Sequence, residues 1–462
     1  MWQYLYPELV FEVFSHFLPG LRLIASESDS FPWYLGHICR GWRSVFTTTP
    51  EFWSTIRIDF DYDIFSGNWS TSRKALTVVD RTATLVALCM ERGKDHPLLL
   101  EFITGIRDSR NFDAAGSPPK RYVEILDMLV AHSARWWEAR IVLDAREIPA
   151  LHKAKGYFPQ LYALQLLVSN SETCPSLPFP NPFEHAQQLS RISLSNVSTW
   201  HFKWSAMKAI EIHPPGAITF QDIIDALRET KCLEKLVIHQ SIPYDISDML
   251  HDIKPVTLPS LTILYIEGAT VLPFILSPSL RCLWIQNGYH NYEKYYSKES
   301  FHTHVAAFFR PLQHLRFMML APWSGKDARI FLQCMPRVDH LCLVTRLVDV
   351  LKSLAMTCPN ALHLQELSLE LSEFCPHALH EAGSILATML KDNGERRMQR
   401  IDVVSTQMST IGNSPRDISS PSFIQLKYIC EELGIRLATL SIWAHTYDLV
   451  RTSASYPKII SL

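Results

Sequence analysis

One pattern limits the possible folds of this chain more than any other. An apolar-x-x-apolar-x-apolar motif returns from residue 158 to residue 403. It is carried by Leu161, Leu164 and Leu166; Leu189, Ile192 and Leu194; Met207, Ile210 and Ile212; Leu233, Leu236 and Ile238; and Leu261, Leu264 and Ile266. Later copies are Leu280, Leu283 and Ile285; Leu312, Leu315 and Phe317; Val338, Leu341 and Leu343; Leu364, Leu367 and Leu369; and Met398, Ile401 and Val403. Most copies follow one another after roughly 20–30 residues, the range of a leucine-rich repeat. The apolar-x-apolar end suits a short strand, because alternate side chains point to opposite faces. No single copy can bury its apolar face alone, so the copies must stack. The expectation is a curved parallel sheet, with Ile238, Leu264, Leu283, Leu343 and Leu369 pointing into one core. A generic α/β sheet is the competing fold.

The intervening and flanking sequence is consistent with helical crossovers. Residues 71–92, 122–134, 220–230 and 328–335 place apolar side chains at helical spacing. Strands are predicted over 56–60, 96–102, 135–143 and 433–443. Three longer connections, 169–183, 287–304 and 411–421, interrupt the repeat. Such insertions gather on one face of a repeat array, often the binding face. The segment 287–304 combines Tyr289, Tyr292, Tyr295 and Tyr296 with Lys294 and Lys298, and its tyrosines are the candidate contacts to a protein target. Stacking of single-stranded nucleic acid and simple packing are the other readings of that segment.

The chain has 462 residues, of which 47% are apolar and 19% charged, with a net charge of −2. This is a folded composition, and it creates no global field for nucleic acid or anionic lipid. The ten cysteines include no Cys-x-x-Cys pair, so they read as buried thiols of a reducing compartment. No apolar run reaches the length of a membrane span, and no secretory leader is recognised. An intracellular protein, cytoplasmic or nuclear, is therefore expected, and the two Asn-x-Ser sequons at Asn68 and Asn196 are chance matches.

The first sixty residues differ from the rest. Pro7 opens a short helix, Glu8 favours its positive end, and Leu9, Val10, Val13, Phe14 and Phe17 fall on one side. A second apolar stripe runs through Leu35, Ile38, Cys39, Trp42, Val45 and Phe46 and closes at Pro50. Two helices this short cannot hide so many large side chains between them. These residues resemble the F-box. The opening Leu5-x-Pro7-Glu8-Leu9, the later Ile38-Cys39-Arg40-x-Trp42-Arg43 and the following Pro50-x-x-Trp53-Ser54 are similar to the F-box proteins of mushroom-type basidiomycete fungi. Tyr6 stands where that family usually has its first proline. The resemblance implies docking on a Skp-type adaptor, and through it on a cullin, with Leu5, Pro7, Leu9, Phe14, Ile38, Cys39 and Trp42 at or just beneath that surface.

Catalytic signatures are absent from the sequence. There is no phosphate-binding Gly loop, nucleotide-binding Gly fingerprint, Gly-x-Ser-x-Gly elbow or His-Glu-x-x-His. Serines, histidines and carboxylates are plentiful, but no triad can be read from their spacing. His302-x-His304 lacks a partner ligand at a telling distance and reads as a surface loop or helix start. Trp136 and Trp137 read as core and rim anchors. No cofactor and no metal are expected. The combined expectation is an α/β protein: a helical F-box-like module over 1–60, an irregular leucine-rich-repeat-like solenoid over 61–443, and a loose tail over 444–462. The function so implied is substrate recognition for a Skp–cullin–F-box ubiquitin ligase, with an unidentified protein target, no nucleic acid and no membrane. A non-catalytic repeat scaffold outside any ligase is the alternative, and an enzyme with a site across the arc is a third possibility.

Overall fold

A computed structural model describes residues 6–16, 35–60, 73–104, 120–144, 147–154, 157–169, 181–195, 202–213, 220–239, 254–268, 271–286, 298–321, 325–345, 364–371, 398–407 and 435–443, with a few single positions between them. The 444–462 tail, the 411–421 connection and most of the 169–183 connection lie outside the described residues. The protein is α/β, and it divides into two units, residues 1–233 and 234–462.

The first unit opens with helices α1 (Pro7–Ser15), α2 (Leu35–Ile38) and α3 (Arg40–Thr48). Six parallel strands follow: β1 (Thr55–Phe60), β2 (Leu98–Thr104), β3 (Trp136–Asp144), β4 (Ala163–Ser169), β5 (Arg191–Ser195) and β6 (Ala209–His213). They pair in chain order. Parallel neighbours need a crossover, and among the described residues three α-helices of the unit lie between paired strands. These are α4 (Arg73–Arg92) before β2, α5 (Lys120–Ala131) before β3 and α6 (Ile148–Leu151) before β4, while α7 (Phe220–Glu229) follows β6. Two rows of side chains form the core side of the sheet. One is Ile56, Leu100, Ala139, Leu164, Ile192 and Ile210; the other is Ile58, Phe102, Ile141, Leu166, Leu194 and Ile212. All twelve are buried.

The opposite side of that sheet is polar. Arg57, Glu101 and Arg140 stand in register on β1, β2 and β3. Glu101 accepts from Arg140 at 2.9 Å and lies 3.3 Å from Arg57. A register shift between Leu98 and Leu99 leaves Trp137 of β3 without a partner on β2. Trp136 then turns fully inward and donates its indole N–H to the Leu129 carbonyl at 3.1 Å. Trp137 turns out and stacks on Tyr162, 5.3 Å between ring centres. The core-and-rim assignment of this tryptophan pair therefore holds, and the bulge is its cause.

The second unit holds β7 (Lys235–Ile238), β8 (Val256–Thr257), β9 (Ile263–Glu267), β10 (Ile275–Leu276), β11 (Cys282–Gln286), β12 (Phe317–Ala321), β13 (His340–Thr345), β14 (Glu366–Leu371), β15 (Arg400–Gln407) and β16 (Arg436–Trp443). Strands β8 and β10 make a small parallel pair of their own. The other eight form an open parallel sheet in chain order. Helix α8 (Lys298–Phe309) crosses between β11 and β12, and α9 (Gly325–Cys334) between β12 and β13. Leu236, Leu264, Leu283, Met318, Leu341, Leu367 and Ile401 form one buried row, and Ile238, Ile266, Ile285, Leu320, Leu343 and Leu369 form the next. The five residues expected to share a core do so.

The backbone repeats as well. Before each of several strands, one carbonyl accepts two successive amides from the next repeat. Glu234 O bonds the amides of Thr262 and Ile263, Arg316 O those of Asp339 and His340, and Asp339 O those of Gln365 and Glu366. One copy of the motif is misplaced by the sequence reading. Leu312, Leu315 and Phe317 satisfy the pattern, but the structure uses Leu315, Met318 and Leu320, and Phe317 points to the opposite side. The run Leu312-x-x-Leu315-x-Phe317-Met318-x-Leu320 fits the template in two registers, and pairing with Leu283 and Ile285 selects one.

Candidate partner-docking surface

The N-terminal helices are organised around Phe14. Its ring meets Trp42 edge-on at 5.1 Å and Phe52 at 5.3 Å. Phe46 stacks near Phe52 and lies 4.9 Å from Trp53. Phe52 and Trp53 belong to a short 3-10 turn, Pro50–Trp53, that leads directly into β1. Trp53 is fully buried, donates its indole N–H to the Phe46 carbonyl at 2.7 Å, and carries the Arg92 guanidinium over its ring at 4.5 Å. A cluster of five aromatic rings thus welds the helices to the start of the sheet and to α4. Edge-to-face rings of this kind stabilise beyond their buried area.

The expected second helix is not continuous. Cys39 takes an extended conformation, φ −158° and ψ 171°, and breaks the stripe into α2 and α3. Its Sγ accepts the Trp42 amide at 3.5 Å, so the thiol caps α3. Helix-initiating amides need such an acceptor. Cysteine is an unusual residue for that role, which is why spacing alone predicts one helix.

Of the seven residues expected at the adaptor surface, the six that are described separate into three groups. Pro7, Leu9 and Ile38 are exposed, Leu9 by 49% and Ile38 by 48%. Cys39 is half-buried. Phe14 and Trp42 are interior. Leu5 lies outside the described residues. Helix α1 therefore divides its apolar side chains: Val10 and Phe14 face in, and Leu9 faces out. Tyr6, read from sequence as a departure from a motif, is 73% exposed at the cap of α1. Tyr6, Leu9 and Ile38 are thus exposed apolar side chains next to a closed aromatic interior. The helices add charge around them: Glu8 and Glu12 on α1, Arg40 and Arg43 on α3, all exposed.

Tyr289, Tyr292, Tyr295 and Tyr296 lie outside the described residues. The end of that segment is helical: His302 and His304 sit in the middle of α8 and not in a loop or at a helix start. His302 Nε2 lies 3.6 Å from Cys334 Sγ of α9, and burial pushes the Cys334 thiol up. Of the described cysteines only Cys89 and Cys430 are buried as expected, and desolvation pushes their thiols to about 12 and about 11; Cys39, Cys232, Cys282, Cys334 and Cys342 are half-buried. Among the described residues, no helix is long and apolar enough to cross a membrane. Comparisons with protein-family models and with curated proteins gave no match.

Proposed function

We propose that this chain is an F-box-type substrate adaptor. In this reading the module over 1–60 docks on a Skp-type protein of a cullin ubiquitin ligase, and the stacked strands form an irregular leucine-rich-repeat-like solenoid that presents a protein target. One observation carries it. The residues bearing the F-box resemblance build a closed aromatic interior and still leave Tyr6, Leu9 and Ile38 in water. Stability does not need those three outside, so a partner is their natural use. The repeated strand-and-carbonyl pattern supports the solenoid. The tyrosines of 287–304 complete the reading as target contacts.

The test is Leu9→Asp on the full chain. Leu9 is half exposed, so the fold should tolerate the charge and the thermal transition should hardly move. Buried under a partner, the same carboxylate would be desolvated and unpaired. Capture of a fungal Skp-type adaptor should fall at least about a hundredfold, the loss expected at an interface hot spot. Undiminished capture would defeat the adaptor reading and leave a scaffold outside any ligase. Replacing 287–297 by a Gly-Ser linker should weaken target capture and leave adaptor capture intact.

A further inference from the structure

On the side of the second unit's sheet opposite the buried rows, neighbouring strands bring a serine, a histidine and a glutamate together. His340 opens β13, and Glu366 and Ser368 lie on β14, with His340 in register with Glu366 and Cys342 with Ser368. Because strand side chains alternate, all three project from the same side. His340 Nε2 is 3.0 Å from Ser368 Oγ, and its Nδ1 is 3.3 Å from Glu366 Oε2. A carboxylate at Nδ1 places the ring hydrogen there and leaves the Nε2 lone pair to accept from the serine hydroxyl. This is the connectivity of an activated nucleophile: hydroxyl, base, and a carboxylate that orients the base.

The surroundings fit that chemistry. Desolvation lowers the His340 pKa, against the opposing pull of Glu366 and Asp402, and Arg400 lowers it further. The ring is thus held neutral, as a general base must be, near neutral pH. His340 and Ser368 are half-buried rather than sealed, so a small molecule can reach them. Phe317 meets the imidazole edge-on at 4.9 Å. Cys342 is in register with Ser368, and Met319 with Cys342, which lines one flank with uncharged side chains. Asp402 is in register with Ser368 on the other flank and accepts from Arg400 Nε at 2.9 Å.

We propose that Ser368, His340 and Glu366 form a nucleophilic site that reacts with small uncharged carboxylic esters. Ser368 Oγ attacks the ester carbonyl carbon and passes its proton to His340 Nε2. The tetrahedral adduct collapses by breaking the bond to the alcohol, which leaves with that proton. Water then repeats the sequence on the acyl-serine and releases the carboxylic acid. Glu366 holds the ring and stabilises its charged form. The backbone of β14 is committed to both neighbouring strands, so this strand offers no backbone oxyanion hole. Turnover is therefore slow, and covalent capture is the more telling readout. The carboxylates Glu366 and Asp402 exclude anionic acyl groups.

The experiment treats the full chain with an alkyl fluorophosphonate and maps the adduct by peptide mass spectrometry, then follows p-nitrophenyl acetate hydrolysis. Ser368 should carry the adduct. Ser368→Ala should abolish it, and His340→Gln should slow it at least about a hundredfold, the usual size of a general-base contribution. The labelling rate of the parent should rise with pH and level off below 6.5, the ordinary histidine value that burial lowers here. Each variant is checked for an unchanged thermal transition, and Glu366→Asp should restore part of what Glu366→Ala loses. No adduct at Ser368, or labelling indifferent to His340→Gln in a folded variant, would overturn the proposal.

Discussion

At the scale of single residues, Gly93, just past α4, is tightly constrained. A Cβ there would lie 2.7 Å from Arg135 Nη2, 2.9 Å from the Cys89 carbonyl oxygen and 3.2 Å from that of Trp53. Two of these three are backbone atoms that cannot swing away. Arg135 is itself fixed, donating to the His96 carbonyl at 3.0 Å and the Met90 carbonyl at 3.3 Å. Gly93→Ala should therefore destabilise the fold by about 1–3 kcal/mol, the cost of overpacking, measured by urea unfolding. Gly41 is the control. Among the described residues a Cβ there would meet only Cys39 Sγ, at 3.9 Å, in the exposed part of α3. Gly41→Ala should stabilise by about 0.5–1 kcal/mol, because alanine loses less backbone entropy in a helix. Residue-scale facts like these were not legible in the sequence. Both positions read simply as glycine, and only packing separates them. The same holds for the partition of Leu9 from Val10 and Phe14, since a stripe of apolar residues does not say which of them a short helix has room to bury. Ser368 and His340 are a different case. Aligning His340-Leu-Cys-Leu343 with Glu366-Leu-Ser-Leu369 juxtaposes them, so the signal lay in the repeat register rather than in linear spacing.

Among elements, the strands were the most legible and the N-terminal helices the least. Strands announce themselves because the apolar-x-apolar pair must be buried on one side and repeats wherever the chain returns. Leu264 on β9 and Leu369 on β14 are both fully buried in those rows. Leu264→Ala or Leu369→Ala should each cost about 2–5 kcal/mol, read as a shift in the denaturant midpoint. A cost near that of an exposed substitution would mean that the rows do not form one packed core. The break at Cys39 was hidden because a thiol seldom caps a helix. Cys39→Ser offers a stronger acceptor to the Trp42 amide and should gain about 0.5–1 kcal/mol, whereas Cys39→Val removes the acceptor and should lose a similar amount.

At the scale of the whole molecule, three histidines among the described residues contribute a pH dependence. Desolvation lowers the pKa of His132, His152 and His340 below 6.5, with Arg135 lowering His132 further. In the unfolded chain each regains its ordinary affinity for protons. Below about pH 6.5 the unfolded state therefore binds more protons than the folded one, and stability must fall as pH falls. The melting temperature should be lower at pH 5.5 than at pH 7.5. Replacing all three by Gln should flatten that difference in the folded variants, and a melting temperature rising on acidification would reverse the assigned sign. The buried thiols of Cys89 and Cys430 should resist maleimide until the protein unfolds, because only a thiolate reacts readily.

The unbroken register from β9 to β14 also governs how such a gene can change. Deleting one codon inside β9 would exchange Leu264 for its outward neighbour, and the two sides of the strand would trade places. The same deletion a few residues away, between strands, would shorten a connection and leave both sides as they were. Descendants of this chain are thus free to lengthen, shorten or rewrite the connections, while each strand must be inherited whole. Reading-frame-preserving indels should be found between the strands and purged within them.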